Sequence, residues 1–176
     1  MRLIVLLTLL FLLGCSSASK QKKDNLTATL HRCLVETNSS NRELPFSLDT
    51  AIIFYKSELG LKPILKTSKK DFFYVIQENK TPVNRIFSHK EAEVLKVSTI
   101  STIPFCLDRL SKDSCKGDNS KNCNYLNQIN AYLKNIPPNK INTEFKSLIE
   151  NYSEDIFVEK EIVYILLSIY YEQNLR

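Results

Sequence analysis

Ile162-Val163-Tyr164-Ile165-Leu166-Leu167-Ser168-Ile169-Tyr170-Tyr171 is a ten-residue run interrupted by one small polar side chain, Ser168. Ten residues fall short of the roughly 20 that a membrane-spanning helix needs. A helix apolar on nearly every side belongs inside a protein core, with burial against a partner as the other solution. Ser153 stands ahead of the run as a helix cap, with Glu154 and Asp155 where carboxylates suit the positive helix end. A final helix is therefore expected from Glu154 onward.

Working outward, the same 3.6-residue rhythm recurs. Leu26, Leu30, Cys33, Leu34 and Thr37 share one helix face, and so do Tyr125, Leu126, Ile129, Tyr132 and Leu133. Ser47 can cap a helix bearing Leu48, Ala51, Ile52, Tyr55 and Leu59, closed by Gly60. Ser68 and Asp71 precede Phe72-Phe73-Tyr74-Val75-Ile76, a stretch that fits a capped helix or a strand. Ser88-His89-Lys90-Glu91 forms a capping box for a helix reaching Leu95 and Ile100. Pro104 then fits the first turn of another helix, Phe105 to Leu110. Pro137-Pro138 stops the helix of Tyr125, and a short helix with Phe145, Leu148 and Ile149 follows. Of three glycines, Gly14, Gly60 and Gly117, only two lie beyond the first 14 residues. That is few for hairpin-rich β folds, which use many positive-φ positions. The expected fold is all-α, a compact bundle or irregular array of about six to eight short helices.

The N-terminus has its own logic. Arg2 followed by the apolar run Leu3 to Leu13 is laid out like a secretory signal, too short to span a bilayer. Its end, Leu12-Leu13-Gly14-Cys15, resembles the lipobox of bacterial lipoproteins. The resemblance implies cleavage after Gly14 and a thioether-linked lipid on Cys15, the only covalent group expected; no cofactor is. Residues 1–14 read as the cleaved signal, 15–24 as a lipidated polar tether, and 25–176 as a single periplasmic domain. Ser16 after the cysteine implies passage to the periplasmic face of the outer membrane rather than retention at the inner one.

With Cys15 given to lipid, Cys33, Cys106, Cys115 and Cys123 remain, an even set in an oxidising compartment. Two disulfides follow, with three possible connectivities. Cys115 and Cys123 flank the polar stretch Lys116 to Asn122, which one bridge can close. Cys33 and Cys106 both lie among apolar helical residues and can meet in the core, so Cys33–Cys106 with Cys115–Cys123 is the preferred pairing. No Cys-x-x-Cys occurs and there are two histidines, His31 and His89, so no metal site is expected.

Removing residues 1–14 takes away Arg2 and no acid, leaving 162 residues with 23 basic and 19 acidic side chains, net +4. This mild excess does not point to nucleic acid. It is unevenly spread: from Glu144 to the end the chain is net −4, leaving +8 on residues 15–143. Glu154, Asp155 and Glu159, with the aromatic anchors Tyr170 and Tyr171, are the candidate partner-binding residues. Catalytic apparatus is not evident. There is no Gly-x-Ser-x-Gly, no His-Glu-x-x-His and no glycine-rich phosphate loop. His31 flanks an apolar helix face, and His89 sits in the capping box facing solvent. The chain reads as a non-enzyme.

Cys33-Leu34 and the segment Phe105-Cys106-Leu107-Asp108-Arg109-Leu110-Ser111-Lys112 resemble the paired cysteine helices of type VI amidase-immunity proteins over about a tenth of the chain. That resemblance implies an inhibitor of another exported protein; a small lipid-held helical domain more generally is expected to be a protein-binding module, an inhibitor or a pilotin-like accessory of an exported partner. The other expectation is a structural lipoprotein linking the outer membrane to an envelope assembly.

Overall fold

A computed structural model describes residues 26–39, 47–78, 89–135 and 141–174. The lipobox cysteine, the tether, Ser88 of the capping box and Pro137-Pro138 lie outside these. Among the described residues there are seven α-helices and no strands, as expected for an all-α array. The helices are α1 (26–39), α2 (Leu48–Glu58), α3 (Lys69–Glu78), α4 (His89–Asp113), α5 (Lys121–Asn135), α6 (Ile141–Asn151) and α7 (Lys160–Asn174), with a 3-10 turn over Glu154–Val158.

The apolar run 162–171 is the centre of the described fold. Residues 162–171 of α7 are all buried, and α7 packs against α2, α4, α6 and the 3-10 turn. Around it α4 lies on α5, α3 on α6 and α5 on α6. Two aromatic groups fill the spaces. Phe54 and Tyr55 of α2 meet Tyr171 edge-on at 6.0 and 5.4 Å, and Phe145 of α6 joins Phe72, Tyr132 and Tyr170 at 5.2–6.3 Å. Such offset and edge contacts add about 0.5–1.5 kcal/mol each to what burial alone provides.

The local signals explain most helix ends. Ser47 Oγ accepts the Thr50 amide hydrogen at 3.4 Å at the start of α2. At its other end Gly60 has φ 70°, and the amides of Gly60 and Leu61 return to the carbonyls of Ser57 and Lys56. This is the paired closure that a left-handed glycine permits. Ser68 and Asp71 do open a helix: the Ser68 amide and hydroxyl both donate to Asp71 Oδ2, at 2.8 and 3.2 Å. Phe72 to Ile76 are helical, which resolves the helix-or-strand alternative. Lys69 Nζ closes the far end of α6 by donating to the carbonyls of Glu150 and Tyr152 at 2.8 and 2.7 Å.

Two boundaries differ from the sequence reading. Pro104 does not start a helix; it sits within the 25-residue α4. An interior proline removes one backbone hydrogen bond, but the flanking residues Ile103, Cys106, Leu107 and Leu110 are all in the core. Thr102 adds a buried bond of 2.9 Å to Asn38 of α1, so packing on both sides of Pro104 carries the helix through. The final helix also does not begin at Glu154. Glu159 is extended (φ −81°, ψ 108°), which separates the 3-10 turn from α7. Ser153 makes no cap bond to the turn's backbone; its hydroxyl is taken by Tyr125, at 2.9 Å, and by Asp155. The bend sends Ile156 and Phe157 inward, where Phe157 stacks 5.4 Å from Phe72.

Candidate protein-binding site

Both disulfides have the preferred pairing. Cys33–Cys106 joins α1 to α4 with Cα atoms 5.8 Å apart, and Cys115–Cys123 closes the α4–α5 connection at 5.3 Å. The first of these builds a cleft. Thr29, Arg32, Cys33 and Glu36 are one face of α1; Arg109, Leu110 and Asp113 are one face of α4, continued by Ser114. Together they line an open hollow of about 350 Å³ beside the disulfide. The helical repeat explains why. Arg32 precedes Cys33 by one residue and Arg109 follows Cys106 by three, so bonding the cysteines brings both arginines to the same hollow. Each arginine has an acid four residues on, one helical turn along the same face. Arg109 Nε lies 3.7 Å from Asp113 Oδ2, both side chains being about two-thirds exposed.

The cleft thus presents two guanidinium forks and two carboxylates above an apolar, covalently fixed floor of Cys33 and Leu110. Guanidinium forks suit bidentate bonding to carboxylates and phosphates. Mixed charge over a rigid base fits a polypeptide segment better than a small metabolite.

The acids and tyrosines singled out in the sequence fall apart in space. Glu154 and Asp155 are exposed on the 3-10 turn. Asp155 is engaged by Lys121 Nζ at 3.1 and 3.2 Å. Its carboxyl is held below the usual range by the Ser153 hydroxyl first and by Lys121 second. Glu159 is half-buried, accepts from Thr27 Oγ1 at 3.5 Å and helps line a small gap between α1, α5 and α7. Tyr170 and Tyr171 are core residues, 3% and 6% exposed, with hydroxyls donating to the Val75 carbonyl and to Glu58 Oε2, each at 3.3 Å. They anchor α7 to α3 and α2 rather than facing outward. The run that made α7 central also buried them.

His31 Nδ1 meets Glu161 Oε1 at 2.8 Å, tying α1 to α7 on the side of α1 away from the cleft-lining residues. His89 opens α4. Among the described residues no helix is long and apolar enough to cross a membrane, and no three His, Cys, Asp or Glu side chains form a potential metal cluster.

Arg32, Glu36 and Asp113 carried no binding expectation, and Arg109 stood only within the segment that resembles immunity proteins. The usable signal was the i,i+4 charge spacing next to each paired cysteine. Comparison of the chain with known protein families, characterised proteins and solved structures found no match.

Proposed function

We propose that the chain is a lipid-anchored periplasmic protein-binding module, acting on an exported partner as an inhibitor of the immunity type or as a pilotin-like accessory. The observation that carries this reading is the charged cleft floored by the Cys33–Cys106 bridge. A disulfide spanning 73 residues holds the opposed faces of α1 and α4 in one geometry before any partner arrives, which lowers the ordering cost of association. The lipobox supplies the address: Cys15 acylated, the domain tethered on the periplasmic face of the outer membrane. No cofactor and no catalytic step enter this reading.

The test is capture of exported proteins from cell envelopes on the full chain, compared with Arg32→Glu/Arg109→Glu. A single stoichiometric exported protein retained by the wild type and lost by the double variant is the expected result. Both substitutions lie on the surface, and an unchanged urea midpoint will show that the fold is intact. Recovery of a multiprotein envelope assembly, equally by both chains, would replace this reading with the structural lipoprotein. Hydrolytic activity of the pure protein would overturn both. Acylation is read separately, as incorporation of labelled palmitate that Cys15→Ser abolishes.

A further inference from the structure

Residues 62–66, in the ten-residue connection between α2 and α3, form an exposed apolar tip within a run of lysines. Lys62, Pro63, Ile64, Leu65 and Lys66 are all exposed, with Ile64 54% and Leu65 36% accessible. These two adjacent residues are among only five exposed large hydrophobic side chains described. A third, Tyr74, lies one helical turn beyond Lys70 on α3.

The tip is held outward by its base. Leu61 and Thr67, on either side of it, are buried. Lys56 of α2 is 1% exposed, and its ammonium donates to the Lys66 carbonyl at 2.8 Å and to Thr67 Oγ1 at 3.3 Å. Thr67 Oγ1 in turn donates to the Leu65 carbonyl at 3.3 Å, and the Ile64 amide to the Lys62 carbonyl at 2.8 Å. A buried ammonium is costly, and one spent on loop carbonyls fixes the path of that loop. Ile64 and Leu65 therefore stand out of the surface by construction.

Along the chain, the charge flanking them has one sign. Between Glu58 and Asp71 the chain carries Lys62, Lys66, Lys69 and Lys70 and no acid. Glu58 is buried under the Tyr171 hydroxyl, and Asp71 is engaged by Ser68. Lys69 is spent on the carbonyls of α6, which leaves Lys62, Lys66 and Lys70 exposed around the tip.

We propose that this loop docks on an anionic phospholipid surface, with Ile64 and Leu65 entering the headgroup–acyl boundary and Lys62, Lys66 and Lys70 meeting lipid phosphates. Aliphatic side chains among long lysines are the composition of interfacial membrane contacts, where the stems lie in the boundary and the ammonium groups reach the headgroups. Two aliphatic residues cover far less than the roughly 800 Å² per partner of a stable protein interface, whereas a bilayer surface demands no shape complementarity. The contact goes beyond tethering through Cys15: it sets which face of the domain points to the membrane.

The chain contains no tryptophan, so Leu65→Trp gives the full-length protein a single reporter at the tip. With vesicles of phosphatidylethanolamine and phosphatidylglycerol, its emission is expected to shift to the blue and to be quenched by lipids brominated near the headgroup. The shift should be lost when Ile64→Asp is added, and when Lys62, Lys66 and Lys70 are changed to Gln. It should persist in Cys15→Ser, which separates loop insertion from acylation. Retention of the far-UV helical signal checks folding of each variant. Unchanged emission on anionic vesicles would overturn the proposal, and so would an equal shift on phosphatidylcholine alone. A shift produced only by an added envelope protein, without lipid quenching, would overturn it in favour of a protein occupant.

Discussion

Lys56 shows how one side chain is pulled two ways. Burial pushes its ammonium below the ordinary lysine range, and the nearby Asp71 carboxylate pulls it partly back. The folded protein thus releases this proton at lower pH than the unfolded chain, whose value is 10.5. Its penalty is present in full below the folded value and is relieved as pH rises toward 10.5, so stability should climb across that window. Lys56→Met keeps the length of the side chain and removes the charge. Its urea midpoint is expected to lack the climb, and amide exchange in the 62–67 loop to quicken because the Lys66 carbonyl and Thr67 lose their donor. A wild-type midpoint that follows the Met variant in parallel from pH 8 to 10.5 would contradict this account.

At the level of elements, the two bridges do different work. By chain entropy alone, closing 73 residues is worth about 4.4 kcal/mol and closing eight about 2.5 kcal/mol. Cys33→Ser/Cys106→Ser should therefore lower the unfolding free energy by about 2 kcal/mol more than Cys115→Ser/Cys123→Ser, as read from urea unfolding without reductant. A smaller loss from the long bridge would mean that α1 stays on α4 through packing and the Asn38–Thr102 bond alone. The helices themselves were largely legible in the sequence, because their apolar spacing is a local property. So were the caps at Ser47 and Ser68, and so was the glycine closure at Gly60. What misled were residues whose local preference lost to tertiary contacts. Pro104 prefers a first turn, but Ile103, Cys106 and Leu107 are worth more buried. Ser153 is a good cap, but Tyr125 and Asp155 claim its hydroxyl.

Across the whole molecule, charged side chains far apart in sequence meet at the surface. Lys121 reaches Asp155 at 3.1 Å, and Lys160 reaches Asp49 at 2.8 Å. Exposed pairs of this kind are individually weak, about 0–1 kcal/mol, so they select register more than they supply stability. They also show why the acidic end was a poor guide to a binding face: its charge is partly matched from within. The cleft was hidden for the complementary reason. Arg32 and Arg109 are 77 positions apart in the sequence, and only the bridge beside them makes them neighbours. Residue types were legible; their meeting was not.

The Cys33–Cys106 bond also decides how the molecule bears load. Tension arriving through the N-terminal segment enters at the start of α1, can unwind about two turns, and then meets a covalent link into the middle of the fold. Beyond Cys33 the force bypasses α2 and α3 and passes directly to α4. Stretched from its two ends without reductant, the protein should come up short by 73 residues for this bridge alone, about 250 Å of contour at roughly 3.5 Å per residue. That length should return in one step when reductant is added. Pulled in this way from its two ends, the protein keeps α2, α3 and the basic loop between them slack, outside the line of force.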